Sequence, residues 1–155
     1  MNKLSEILPI LQSRLPNVSF IKGDDFVWSS SNKTITYKNV DDTRSLWSVI
    51  HEAAHASLGH HNYNSDQDLI TMELQAWQEA KNMANSLNLA IDQNHIEDCL
   101  DTYRDWQHSR AICPACGVVG AQTAKQVYKC FNCLSIWQVP NSPLCKTTRR
   151  LINTA

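Results

Sequence analysis

Leu4, Ile7, Leu8, Leu11 and Leu15 recur at the spacing of one helix face and predict an opening amphipathic helix that stops before Pro16. Ser5 or a neighbour is the expected cap, which would leave Pro9 in an early turn; with a different start, Pro9 would kink the helix. From Val18 to Tyr37 the period shortens. Val18–Ile21, Phe26–Trp28 and Thr34–Tyr37 are rich in β-branched and aromatic residues, and turn-formers separate them at 23–25 and 29–33. This pattern predicts a small antiparallel sheet of two or three strands. An edge strand of such a sheet is a candidate rail for an extended peptide.

The helical period returns after Asp41-Asp42-Thr43, which supplies N-cap candidates and negative charge at a helix start. Leu46, Trp47, Val49, Ile50, Ala53, Ala54 and Leu58 make this helix apolar on most sides, with Gly59 as its expected stop. Ser65 and Asp68 have the spacing of a capping box, with aspartate standing where glutamate is usual. They open a long helix whose apolar stripe carries Leu69, Met72, Ala76, Trp77, Ala80, Met83, Ala84 and Leu87. Ile91 and Ile96 bracket Asp92 like a hydrophobic staple and start a fourth helix bearing Leu100, Tyr103 and Trp106. Asp98, Asp101 and Asp105 are expected to form its solvated face.

Charge alters this picture in one respect. All 15 acidic residues lie at or before Asp105, against 8 Lys/Arg in the same stretch, whereas residues 106–155 hold 6 basic residues and no acid. The asymmetry suggests a boundary near residue 108 and a C-terminal part able to meet nucleic acid or an acidic partner. No apolar run is long enough to span a bilayer, and the N-terminus, interrupted by Glu6 and Pro9, lacks a signal-peptide core. Four of the six cysteines fall in two Cys-x-x-Cys pairs, which in a chain without an export signal points to metal binding in a reducing, cytoplasmic setting.

The chemistry is concentrated in two places. His51 and His55, four apart on the apolar second helix, share a face, so both imidazoles can reach one ion. With Glu52 they form the HExxH pattern, in which zinc acts as a Lewis acid and the glutamate as general base. A catalytic zinc usually has three protein ligands. Glu73, an acid on the apolar stripe of the following helix, is the leading candidate for the third; His60, His61 and Glu79 are its rivals. His60, just past the expected helix end, could also point back to the cleft as a transition-state donor, but a surface role is the favoured reading. The second place is Cys113-x-x-Cys116 followed by Cys130-x-x-Cys133, the spacing of a zinc ribbon with a closed, structural Cys₄ shell. Gly117 frees the backbone to turn around the sulfurs. Tyr128, Phe131 and Trp137, interleaved with Lys125 and Lys129, are compatible with nucleic-acid binding or with docking on protein. Cys99 and Cys145 are read as a buried thiol and a tail thiol.

Residues 35–80 also resemble a known family. Ile35-Thr-Tyr37, then Trp47 through His51-Glu-Ala-Ala-His55-Ala-Ser-Leu58-Gly-His60, then Glu73-Leu-Gln-Ala76, is similar to the ImmA/IrrE metallopeptidases. The resemblance implies a gluzincin-like zinc fold with His51, His55 and Glu73 as ligands, Glu52 as base, and a DNA-binding regulator as substrate. Gln75 departs from the pattern, since the family often has a second glutamate there. SprT-like proteases, which also join HExxH to a zinc ribbon, are the second resemblance, but their third ligand is a downstream histidine. The sequence therefore predicts an α+β, zincin-like domain of about four helices and a small sheet over 1–108, a zinc ribbon over 109–145 and a mobile basic tail over 146–155. Two zinc ions per chain are expected, one catalytic and one structural. The expected activity is hydrolysis of a protein or peptide substrate; the alternatives are SprT-like proteolysis near DNA and a non-catalytic zinc-dependent binding module.

Overall fold

Asp41 and Asp42, adjacent in sequence, start two different helices. The structure, a computed structural model, describes residues 3–141 and 147–153. In it the first backbone N–H of α1 (Leu4–Arg14) donates to Asp41 Oδ1 at 2.8 Å, and Asp42 caps α2 (Thr43–Ser57) by accepting from Ser45 N at 2.8 Å. The N-cap of α1 is Lys3 rather than Ser5, with Glu6 accepting from the Lys3 N–H at 3.1 Å. Pro9 thus lies inside the helix, which still buries Leu4, Ile7 and Leu11.

Strands β1 (Ser19–Lys22), β2 (Val27–Ser29) and β3 (Thr34–Tyr37) fall where the β-rich segments predicted them. Their sheet is mixed, however, not antiparallel. Its order is β1-β3-β2, with β1 parallel to β3 and β2 antiparallel to it. Burial matches the order. Only β3 has two buried positions, Ile35 and Tyr37, and it takes the centre, while β1, mostly exposed, and β2, partly exposed, flank it.

The two remaining helices are α3 (Asp66–Ser86) and α4 (Gln93–Ala111). The capping box at the start of α3 is reciprocal: Asp68 N donates to Ser65 Oγ at 3.0 Å and Ser65 N to Asp68 Oδ2 at 3.2 Å. Asp92 accepts from Asn94 N at 2.9 Å, and both staple residues, Ile91 and Ile96, are buried. Asp98, Asp101 and Asp105 are exposed, as expected. Among the described residues no helix is long and apolar enough to cross a membrane.

Two compact units result, residues 1–62 with 72–96 and residues 63–71 with 97–155. The first has α1, α2 and the mixed sheet around Leu11, Ile35, Val49, Ile50 and the Ala53–Ala54 pair. The second contains a four-stranded antiparallel sheet, β4 (Ala121–Ala124), β5 (Val127–Lys129), β6 (Ile136–Gln138) and β7 (Arg150–Asn153), ordered β4-β5-β6-β7. β7 corrects the expectation of a mobile tail from 146 onward: residues 150–153 pair with β6, and Arg150 donates to Gln138 Oε1 at 2.6 Å. α4 runs through position 108 without a break.

The second unit also alters the reading of the basic C-terminal part. Arg110 is buried, with Nε 2.7 Å from Asp66 Oδ2 and Nη2 3.2 Å from Oδ1; Nη1 donates to Pro140 O at 2.6 Å. Its charge is therefore neutralised inside the fold. Tyr128 and Trp137 are equally buried, stacked with ring centroids 5.9 Å apart, and the Tyr128 hydroxyl donates to Asp66. They are core residues and unavailable to a ligand. Phe131, 65% exposed with Lys129 Nζ 5.6 Å from its ring, is the one aromatic of the predicted three that faces solvent.

Candidate functional site

α2 is buried along most of its length, and His51 and His55 are buried with it. An imidazole pair in that setting needs a compensating partner. It comes from Glu73 of α3, which is buried on the stripe predicted from the sequence. His51 Nε2 lies 3.1 Å from Glu73 Oε2, His55 Nε2 lies 3.2 Å from Glu73 Oε1, and the two Nε2 atoms are 3.1 Å apart. The two ring nitrogens thus lie side by side against one carboxylate, each facing a different oxygen of it. Zinc bound to nitrogen and oxygen at roughly 2.0–2.1 Å tetrahedrally puts its ligands roughly 3.3 Å apart. The separations here are close to that, the residue types fit a divalent metal, and His51, His55 and Glu73 form a candidate metal site.

The electrostatics agree with the geometry. Burial pushes the Glu73 carboxyl up, but the hydrogen bonds and charge of His51 and His55 outweigh it and hold the group at about 2, ionised at any ordinary pH. Burial holds the His51 imidazole below its usual range. His55 feels the same burial, but Glu73 and Glu52 outweigh it and raise its pKa. His51 Nδ1 is buried with no hydrogen-bond partner among the described residues; the ring is held by stacking on Trp77, centroids 4.1 Å apart and planes 26° apart. Trp77 is one helical turn beyond Glu73, so α3 supplies both groups that hold His51.

Glu52 is half-buried and is not one of the three clustered donors. Its Oε2 accepts from the Trp28 backbone N–H at 2.8 Å, tying it to edge strand β2. Burial pushes its carboxyl up to about 7, partly offset by His55 and the Trp28 hydrogen bond. Reading the sequence missed Trp28 in this role, because a strand pattern carries no sign of which backbone amide meets a distant side chain.

The rivals of Glu73 lie elsewhere. His61 is exposed, with Nδ1 3.1 Å from Gly59 O, and Glu79 is half-buried and hydrogen-bonded to Asn82 at 3.4 Å. His95, the downstream histidine a SprT-like site would require, has its ring 4.9 Å from Trp47 and 5.6 Å from Trp77 and adds no atom to the cluster. His60 departs from the surface role expected of it. It is half-buried, with Nδ1 2.9 Å from His55 Nδ1 and Nε2 3.1 Å from Gln75 Oε1.

The four cysteines of the second motif also converge. Cys113 and Cys133 sulfurs are 3.6 Å apart and those of Cys116 and Cys130 3.5 Å. Both separations are far longer than a disulfide and near the roughly 3.8 Å edge of a zinc–thiolate tetrahedron. Burial raises the Cys113 thiol, whereas hydrogen bonds from Ser135 bring Cys133 down to about 6. Each Cys-x-x-Cys turn ends in a left-handed residue, Gly117 at φ 78° and Leu134 at φ 65°. Leucine is strained there and is 55% exposed, so little packing holds it. Leu134→Gly is expected to stabilise the protein by about 1 kcal/mol in chemical denaturation, and a loss of stability would mean that the leucine side chain outweighs the strain. Cys99 is half-buried, and Cys145 lies outside the described residues.

No protein-family model, curated protein or solved structure matches the chain.

Proposed function

We propose that this protein is a zinc-dependent endopeptidase with a gluzincin-like site, akin to the ImmA/IrrE metallopeptidases, acting on a protein substrate such as a DNA-binding regulator. One observation carries the reading. Two histidine nitrogens 3.1 Å apart, each 3.1–3.2 Å from a different oxygen of the Glu73 carboxylate, lie beside a second carboxylate that is held by a backbone amide and left out of the cluster. A purely structural site would be closed by a fourth protein ligand. Among the described residues the cluster offers three.

His51, His55 and Glu73 hold the metal, which when bound supplies a Lewis acid and an acidified water. Two neutral imidazoles and one carboxylate leave a divalent site at about +1, suited to the negative charge that develops on a scissile carbonyl oxygen. Glu52 accepts a proton from the attacking water and returns it to the leaving amine as the C–N bond breaks. A carboxyl poised near 7 suits both halves of that task. Edge strand β2 supports an extended substrate alongside, except at the Trp28 N–H, which Glu52 already uses. The Cys₄ cluster holds a second, structural zinc. The surface around Phe131 and Lys129 is the place for an acidic or nucleic-acid partner.

The test is a comparison of proteomes from cells carrying the wild type or Glu52→Gln. A protein that accumulates intact only with the variant, and is cut in vitro by the wild type alone, is the expected result. Indistinguishable proteomes together with a zinc content unchanged by His51→Ala would overturn the reading and leave a non-catalytic binding module.

A further inference from the structure

α2 ends in a Schellman stop. Gly59, at φ 66°, donates to Ala56 O at 3.1 Å, and His60 N donates to His55 O at 3.0 Å, closing the last turn. The chain is thereby folded back so that the His60 ring meets His55, ring centroids 5.1 Å apart. The Trp28 indole N–H pins the same residue by donating to His60 O at 2.8 Å. The imidazole is thus held at its backbone, at His55 Nδ1 and at Gln75 Oε1.

With both rings neutral, the state that burial favours for His60, protons can be placed along this chain in two ways. If Gln75 Oε1 accepts from His60 Nε2–H, His60 Nδ1 has a lone pair and accepts from His55 Nδ1–H. His55 Nε2 then presents its lone pair to the donor cluster. In the opposite polarity His55 Nδ1 accepts, and its Nε2 carries a hydrogen pointing to where a metal must sit. The carbonyl oxygen of Gln75 faces His60 at 3.1 Å, which selects the first arrangement. His51 is held differently, by the Trp77 stack, and has no such partner among the described residues.

We infer that His60 and Gln75 are positioning residues that fix the His55 tautomer and so preset its Nε2 as a metal ligand. The inference rests on the metal-site reading above, and a readout other than hydrolysis tests it: zinc affinity by chelator competition in the full chain. His60→Ala and Gln75→Leu each weaken binding at the His51 site roughly 10–100-fold, the usual effect of losing a ligand's outer partner. Gln75→Glu, whose carboxylate can only accept from His60, binds at least as tightly as the wild type. His61→Ala changes nothing. Gln75 is exposed, so its variants fold even where His60→Ala does not. In ¹⁵N-resolved histidine spectra of the zinc-loaded protein His60 carries its hydrogen on Nε2. Wild-type affinity in both His60→Ala and Gln75→Leu, or a His60 hydrogen on Nδ1, overturns the relay. His51→Ala separates the two failures: if it releases no zinc the metal site itself is wrong, and if it releases one ion only the relay is.

Discussion

Glu52→Gln is expected to retain both zinc ions and lose hydrolysis by a factor of roughly 10²–10⁴, the usual contribution of a positioned general base. The amide keeps the size of the carboxylate and cannot take a proton. Metal counting and cleavage of the identified substrate, measured on the same preparation, check it. Cleavage at the wild-type rate would remove Glu52 from its role while leaving the metal site intact. Stability supplies an independent sign. Burial raises the Glu52 carboxyl from 4.5 to about 7, so the folded state favours the protonated form. That contribution is fully present below pH 4.5 and is lost as pH rises through 7. In metal-stripped protein the wild type should therefore lose stability relative to Glu52→Gln across that window, because glutamine has no charge to desolvate. Parallel curves would mean that Glu52 is better solvated than its surroundings suggest.

Asp66→Ala should cost about 3–5 kcal/mol, because it strands a buried guanidinium and a buried phenol together. Asp66 is 2% exposed and accepts twice from Arg110 and once from Tyr128. Its backbone N–H donates to Gln122 Oε1 at 2.8 Å, so the same residue also starts α3. In the wild type, burial together with the Asp66 hydrogen bond and charge holds the Tyr128 hydroxyl well above its usual range. Denaturation of zinc-loaded protein measures the effect. The exposed pair Arg104–Glu97, 3.0 Å apart, is the natural control: Glu97→Ala should cost under about 1 kcal/mol. Replacing Asp66 and Arg110 together by apolar residues of similar volume should recover most of the loss, since a buried ion pair is costly to halve and far less costly to remove whole. Equal costs for the buried and exposed pairs would show that Arg110 reaches water on loss of its partner.

Several features could be read directly because they depend on near neighbours in the chain. His51 and His55 share a face by helical spacing. Each Cys-x-x-Cys pair is one turn, and the Ser65–Asp68 and Ile91–Ile96 signals act within four or five residues. Glu73 was legible for a different reason: a lone acid on an apolar stripe has to meet something, and here it meets the two histidines. The sheet shows where such reasoning fails. The turn residues at 23–25 resemble a hairpin connection, yet β1 bypasses β2 and pairs with β3 in parallel, and only β3, at the centre, has buried side chains, Ile35 and Tyr37. The basic C-terminal part misled in the same way. Arg110 counts as surface charge in any tally, and only its contact with Asp66, 44 positions earlier, makes it part of the core.

The sequence by itself thus determined which atoms are able to bind metal, through local spacings that leave the helix and the two cysteine turns little choice. The tertiary structure decided what surrounds those atoms: the Trp28 amide on Glu52, the Trp77 ring on His51, the His60–Gln75 chain behind His55, and the neutralisation of Arg110. These are contacts between segments remote in sequence. Burial sets their strength, and burial belongs to the packed molecule.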